Sequence, residues 1–341
     1  MNPHATFLSR RHFLRRSAEA AVIGGVAAPL LGQGAEAAAS RFAYDVERFT
    51  KTDPQWLRYD PDGRFPTPRP QAKRISIGPG GRFYIAAQDK VCVVDLAGTL
   101  EATLSLNDVA RCAIAGEDGL VYAATRNRVV VFEAGGREKL SWEVPGPKAW
   151  VSALALVGDS VLAADSGNRV IWRFDLSGKV LGRIGEKDQE REIPGFVVPS
   201  PYLDVEPGKD GLLRVNNPGR HRVELYTLEG DLELFWGKAS AGVGGFCGCC
   251  NPIAVAALPD GRCITCEKGL PRVKIFALDG AFEGVVAGPE SFPQNARIGS
   301  GRNPVDGTLG GLDATVDARG RVYVLDLVAS EVQIFKPKTV S

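Results

Sequence analysis

Five of the seven cysteines lie within twenty residues of the sequence: Cys247, Cys249, Cys250, Cys263 and Cys266. Thiolates bind soft metals and iron–sulfur clusters, and in an oxidising compartment they pair as disulfides. Cys263 and Cys266 are three residues apart on a predicted strand, so their side chains should lie on opposite faces of a sheet. The candidate cofactor-binding thiols are therefore Cys247, Cys249, Cys250 and Cys266.

Three interpretations of these thiols stay open. They could hold an iron–sulfur cluster or a soft metal such as copper, iron or zinc, with His221 as a further metal ligand. They could form a disulfide, in which case the odd number of cysteines leaves at least one thiol unpaired. They could also be reduced, buried side chains without a role, since the Cys-x-Cys-Cys spacing matches no standard ferredoxin pattern.

A strand pattern repeats six times along the chain and indicates the fold. Alternating apolar residues that close on a turn recur after the leading valines Val91, Val129, Val170, Val223, Val273 and Val332. Period-two alternation between turn residues predicts strands. Six repeats of about forty residues or more are typical of a β-propeller with one four-stranded blade per repeat. The sequence therefore predicts an all-β, six-bladed β-propeller.

The repeats also resemble the NHL family. Residues 162–185, LAADSGNRVIWRFDLSGKVLGRIG, are similar to the NHL pattern, in which Asp ends the second strand and Asn-x-Val opens the third. The resemblance covers most of residues 74–336 and implies a six-bladed propeller of the NHL or TolB-like type. The cysteine segment resembles exported bacterial NHL proteins with a Cys-Gly-Cys-Cys-Asn-Pro loop. This resemblance implies no particular reaction, because the fold hosts many activities.

Four polar side chains occupy similar places, at the ends of the second strands of four consecutive repeats: Asp165, Asn217, Glu267 and Asp326. Such a ring of oxygen ligands could hold calcium or another divalent ion at the mouth of the central channel, as in the propeller lactonases that this architecture resembles. Turn chemistry is the alternative, because Asp and Asn side chains accept hydrogen bonds from the backbone two residues on.

The last repeat lacks its outer strand. Three strands can be recognised near residues 312–316, 321–326 and 332–336. We expect residues 42–46 or 56–59 to pair with them, because this would remove an exposed sheet edge. Residues 60–70, rich in Pro and Asp, would then be the connector to the first complete repeat.

The first 39 residues have the features of an export signal. Arg10 and Arg11 are followed by Phe-Leu, by an apolar run at residues 20–31 and by small residues at 35–39. The run is shorter than the roughly twenty residues that span a bilayer. The paired arginines resemble the twin-arginine export motif, which implies a periplasmic protein. We therefore predict a signal peptide at residues 1–39 and one propeller domain at residues 40–341.

Removal of this signal changes the charge and the histidine content. Four arginines and two glutamates leave with it, so the net charge falls from +1 to about −1, without the basic excess of a nucleic-acid binder. His4 and His12 leave as well, so that His221 is the sole remaining histidine. This excludes a three-histidine zinc site and a two-histidine, one-carboxylate iron site.

Two functional hypotheses follow. The first is a periplasmic binding or redox-accessory propeller that carries a thiolate site on one face and docks a partner protein. The alternative is a divalent-metal-dependent hydrolase or lactonase that uses the carboxylate ring. We expect a monomer with no nucleic-acid partner and no membrane span, and the sequence leaves open whether the protein is an enzyme.

Overall fold

The computed structural model describes residues 49–295 and 310–339, in which regular structure is almost entirely β-strand. Within these residues the strands are β1 (Tyr59–Pro66), β2 (Ala72–Ile77), β3 (Phe83–Ala87), β4 (Lys90–Val94), β5 (Leu100–Ser105), β6 (Cys112–Ala115), β7 (Val121–Ala124), β8 (Arg128–Phe132), β9 (Glu138–Glu143), β10 (Val151–Val157), β11 (Ser160–Asp165), β12 (Val170–Asp175), β13 (Val180–Ile184), β14 (Val205–Pro207), β15 (Leu213–Asn217), β16 (Arg222–Tyr226), β17 (Leu232–Trp236), β18 (Ala254–Ala257), β19 (Cys263–Cys266), β20 (Val273–Phe276), β21 (Phe282–Ala287), β22 (Leu312–Val316), β23 (Val322–Asp326) and β24 (Glu331–Pro337). Short 3-10 turns lie at Pro54–Trp56, Pro79–Gly81, Pro218–Arg220 and Pro289–Ser291. In the same residues we find no helix with the length and apolar content needed to cross a membrane.

The strands form six antiparallel sheets of four, one for each blade of a propeller. Blades 1 to 5 are meanders of consecutive strands, from β2–β5 for blade 1 to β18–β21 for blade 5. Each innermost strand (β2, β6, β10, β14, β18 and β22) contacts the innermost strand of the next blade, and β22 contacts β2. The prediction of an all-β, six-bladed propeller is therefore confirmed.

The apolar core lies between the blades. There are six clusters of buried side chains in the described residues, and each cluster draws on two neighbouring blades. In β7, Val121 and Ala123 face blade 1, whereas Tyr122 faces blade 3. Because both faces of such a strand are buried, period-two alternation here separates two apolar interfaces instead of separating core from solvent.

Strand β1 completes blade 6 by pairing antiparallel with β24. The predicted closure by an N-terminal strand is confirmed. Of the predicted residues 56–59, only Tyr59 belongs to this strand, which continues through residues 60–66 of the predicted connector. The edge position explains the difference: Pro61 needs no ladder partner at an outer edge, and a register shift between Pro61 and Gly63 accommodates the turn-like sequence as a bulge. The other predicted segment, residues 42–46, lies outside the described residues.

We predict that Phe65→Ala destabilises the closed ring by about 3 kcal/mol, the usual cost of removing a buried phenyl group. Phe65 is 6% exposed, and its ring centroid lies 5.9 Å from that of Phe83 in blade 1. Arg64→Ala is the matched control on the same strand, because the Arg64 side chain is 73% exposed, and it should cost less than about 0.5 kcal/mol. Urea unfolding measures both, and equal effects would contradict the assigned orientation of β1.

Candidate functional site

The cysteine loop, residues 247–251, leads into the innermost strand of blade 5 and is held at both ends. The Cys247 N–H donates to Oε1 of Glu267 at 3.0 Å. The side-chain amide of Asn251, which is 2% exposed, donates to the carbonyls of Cys247 and Lys268 at 2.6 and 2.8 Å. It also accepts from the Lys268 N–H at 2.9 Å. The loop is thus fixed to the turn that follows β19.

Two adjacent thiols of this loop are close together. Cys249 is exposed and Cys250 is buried, and their Sγ atoms lie 3.5 Å apart. The hydrogen bond with Cys250 raises the pKa of the Cys249 thiol, which the charge of Lys268 partly offsets. Cys247 is half-buried, and burial raises the pKa of its thiol.

Both cysteines of β19 are buried, Cys263 with 3% and Cys266 with 0% exposure. Cys266 is buried in the cluster between blades 5 and 6, whereas Cys263 lies in the cluster between blades 4 and 5. The predicted opposite orientation of this pair is therefore confirmed. Burial raises the pKa of the Cys263 thiol to about 12 and that of Cys266 well above its ordinary value.

His221 contacts the cysteine loop through the backbone. Its Nε2 lies 2.6 Å from the carbonyl oxygen of Gly248. This hydrogen bond links the loop between β15 and β16 to the cysteine loop of the next blade. Over residues 49–295 and 310–339, no group of three or more His, Cys, Asp or Glu side chains has the geometry to hold a metal ion.

The four polar side chains at the ends of second strands have a shared structural contact. They are Asp165, Asn217, Glu267 and Asp326, and each is 1% exposed or less. Each accepts a hydrogen bond from the loop that leads into its own blade; the donors are the N–H groups of Trp150, Val197 and Cys247 and the side-chain amide of Asn295, at 2.8, 2.9, 3.0 and 2.8 Å.

The four side chains lie at the ends of the second strands, as the sequence predicts. They lie one strand out from the channel, and none of them lines its cavities. Each accepts at least one backbone N–H, as the turn-chemistry alternative expects, and Glu267 is in addition paired with Arg272 and Lys274. The bonds fasten each leading loop (the loop that leads into an innermost strand) to the turn after the second strand.

We expect Asp165→Ala to destabilise the protein by about 2–4 kcal/mol, because buried donors lose their acceptor. Asp165 accepts five hydrogen bonds, from Trp150, Gly167, Asn168 (two) and Trp172. Thermal unfolding with and without a calcium chelator is the measurement, and Asp159→Ala, at an exposed position of the same blade, is the control. A melting temperature that falls on chelation would instead favour a bound divalent ion.

The channel contains a buried ionic group that the sequence analysis missed. Arg74 on β2 reaches Asp204, at the start of blade 4, with an N–O distance of 2.6 Å. Its other nitrogen lies 3.3 Å from Asp313 on β22. Asp204 also accepts from the N–H of Val255 at 2.9 Å, and Asp313 accepts from that of Ile75 at 2.8 Å. Charged residues within apolar inner strands are the signal that could have revealed this group.

Two carboxyl groups of the channel, Asp313 and Glu206, have raised pKa values. Burial raises the pKa of Asp313 to about 6, although Arg74 opposes the shift. Burial, followed by the charge of Asp204, raises the pKa of Glu206 to about 8. Glu206 lines a narrow lower part of the channel, with a volume of about 50 Å³. The channel therefore favours a proton on Glu206 at neutral pH.

This shift predicts a pH dependence of stability. Glu206 has an unfolded pKa near 4.5 and a folded pKa of about 8. Between these values the folded state binds more protons than the unfolded state, so the free energy of unfolding should fall as pH rises. Glu206→Gln should flatten that fall, most clearly between pH 6 and 8, above the pKa of Asp313. Urea unfolding across this range measures it, with the exposed Glu233→Gln as the control that keeps the slope.

Above the ionic group, a cavity of about 420 Å³ opens at the channel mouth, on the face that carries the leading loops. The residues that line it include Gln71, Lys73, Arg74, Arg111, Trp150 and Tyr202, and none of its described lining residues is a carboxylate. Because the charge of Arg74 is already matched by Asp204 and Asp313, Arg111 gives this cavity its positive character.

Arg111 is the least satisfied cation of the cavity. Its guanidinium carbon lies 3.9 Å from the centre of the Trp150 ring, a cation–π contact. Its Nε is buried and has no hydrogen-bond partner in the described residues. Burial lowers the pKa of Arg111, which means that an added negative charge here would be favourable.

The opposite wall of the cavity connects it to the cysteine loop. The Tyr202 hydroxyl donates to the carbonyl of Gly310 at 2.8 Å. The Lys268 ammonium group lies 4.7 Å from the centre of the Tyr202 ring. The Lys268 backbone is hydrogen-bonded to Asn251 of the cysteine loop. The mouth and the cysteine loop are therefore neighbours on the side of the propeller that carries the leading loops, which we call the leading face.

Three solved structures with a similar fold are structures of lyases. A streptogramin B lyase has a TM-score of 0.56 at 12% identity, covering 83% of this chain and 99% of its own. A catalytically inactive histidine-to-alanine variant of virginiamycin B lyase from Staphylococcus aureus, solved with quinupristin, has 0.56 at 13% identity, covering 80% and 83%. The selenomethionine form of that enzyme has 0.55 at 14% identity, with the same coverage. No protein-family model and no curated protein sequence matches the chain. The likeness shows the propeller fold.

Proposed function

We propose that this protein is an exported binding propeller of the NHL type, and that the cavity at its channel mouth takes an anionic small molecule with a planar ring. The observation that carries the proposal is Arg111, a cation held on an aromatic ring with a buried and unpartnered Nε. A carboxylate or phosphate bound in the cavity beside this guanidinium group would offset the burial of its charge.

The other lining residues support the same ligand chemistry. Lys73 adds a second cation, while Trp150 and Tyr202 offer aromatic surface for a ring. The volume of about 420 Å³ lies in the range of small-molecule sites, roughly 300–1,000 Å³. The ligand would stand above Arg74, which the carboxylates of Asp204 and Asp313 already neutralise.

The arrangement favours binding over the chemistry of the structural neighbours. One of those lyases is inactive when a histidine is replaced by alanine. In this chain His221, the only histidine after residue 12, is bonded to the carbonyl of Gly248 and is not among the described residues that line the cavity. The hydrolase alternative gains no support either, because the four polar side chains it would use are bonded to leading loops.

Location and partner belong to the same proposal. The twin-arginine sequence of residues 1–39 supports action in the periplasm, where the leading face of a monomer would dock a partner protein. The fastened loops support this use, because a binding surface on rigid loops loses little conformational entropy when a partner is bound.

Isothermal titration calorimetry with phenyl phosphate and with benzoate tests the ligand class. Arg111→Ala should weaken binding by about tenfold or more, because a charge-assisted hydrogen bond contributes about 1.5–3 kcal/mol. Arg126→Ala is the matched control: Arg126 lies 5.5 Å from the same Trp150 ring but is not among the lining residues, so affinity should change by less than about twofold.

Two results would contradict the proposal. One is that neither anion gives a larger heat of binding than the neutral analogue phenol. The other is an equal loss of affinity in the Arg111 and Arg126 variants, because this would place the anion at the outer surface and not in the cavity.

A further inference from the structure

We propose that Cys249 and Cys250 form an exchange centre that reacts with anionic low-molecular-weight disulfides. The pair combines an exposed thiol with a buried thiol 3.5 Å away, on a loop fixed by hydrogen bonds at both ends. An accessible attacking thiol beside a second, resolving thiol is the arrangement that thiol–disulfide exchange needs.

The first step uses the exposed sulfur. The Cys249 thiolate attacks one sulfur of a disulfide R–S–S–R, the S–S bond breaks, and a mixed disulfide Cys249–S–S–R forms with release of R–S⁻. In the second step the Cys250 thiolate attacks the Cys249 sulfur and expels the second R–S⁻. The protein loses two electrons and two protons, and the substrate disulfide gains the electrons and leaves as two thiols.

The adjacency of the two residues makes the resulting disulfide labile. Consecutive Cα atoms are about 3.8 Å apart across a trans peptide, whereas Cα atoms bridged by a disulfide are usually about 4.4–6.8 Å apart. A disulfide outside this range is strained and is reduced more easily. The pair therefore suits reversible exchange with thiols, and it is a poor choice for a permanent structural bond.

Local charge points to an anionic substrate. Lys268 lies close enough to Cys249 to favour its thiolate, and the Lys268 backbone is bonded to Asn251 of the same loop. A substrate with carboxylate groups, such as glutathione disulfide, would be attracted to this ammonium group. Because the pKa of Cys249 is raised, the rate should increase as pH rises from 7 to 9 and the thiolate fraction grows.

The test uses the reduced mature chain with glutathione disulfide, followed by mass spectrometry and assay of released glutathione. The wild type should release two glutathione molecules and form the Cys249–Cys250 disulfide. Cys250→Ser should release one glutathione molecule and accumulate a mixed disulfide on Cys249. Release of the second glutathione should be slower by roughly tenfold or more, because the variant lacks the adjacent thiol with its high effective concentration. Cys250→Ala, an apolar replacement at this 6% exposed position, should behave in the same way.

Cys247→Ser is the matched control, since Cys247 is a half-buried thiol of the same loop, and it should react as the wild type does. Circular dichroism establishes that each variant is folded. The proposal is overturned if the wild type retains glutathione on Cys249, if the new disulfide uses Cys247, or if no glutathione is released. Binding of phenyl phosphate at the channel mouth is a separate readout, so the two proposals can fail independently.

Discussion

No blade of this propeller buries its apolar residues alone. Every cluster of buried side chains in the described residues draws on two neighbouring blades, so each blade depends on both neighbours, and blade 6 must meet blade 1. The pairing of β1 with β24 satisfies this condition, because it completes the last sheet and brings Phe65 against Phe83. The same two-sided burial separates Cys263 from Cys266, since alternate residues of β19 face different interfaces.

The hydrogen bonds at the ends of the second strands extend this rigidity to the leading face. Asp165, Asn217, Glu267 and Asp326 each hold the loop that leads into their blade. In blade 5 the contact has further support, because Glu267 is paired with Arg272 and Lys274, at 2.7 and 3.0 Å. The cysteine loop is thus attached to a buried ionic network, which keeps its backbone in place while Cys249 stays exposed.

The sequence predicted the fold better than the site, and the reason is physical. The strand pattern repeats six times, so a wrong boundary for one strand does not change the predicted architecture. The missing outer strand of the last repeat predicted that a segment near the start of the chain closes the ring. Residues 60–66 were misread because Pro and Gly are compatible with an edge strand as well as with a turn. Arg74 and Asp204 are 130 residues apart in the sequence, and only the closed ring places them in contact. The repeat pattern predicted that Asp165 ends a second strand, but it did not predict that the Trp150 N–H of the leading loop donates to its carboxylate.

The charges of the channel are arranged in layers, and this arrangement determines where an anion can bind. Asp204 and a protonated Glu206 line the lower part. Arg74, which is paired with Asp204 and Asp313, lines both parts, and Lys73 and Arg111 line the mouth. An anion that moved below Arg74 would meet carboxyl groups, so attraction ends at the mouth. Binding there requires no movement of the blades, because Lys73 lies on β2, Arg111 directly precedes β6, and each of these blades packs against both of its neighbours. The proposed recognition of an anionic ligand therefore needs only the rigid mouth beside Arg111, and the carboxyl groups below oppose passage of an anion through the channel.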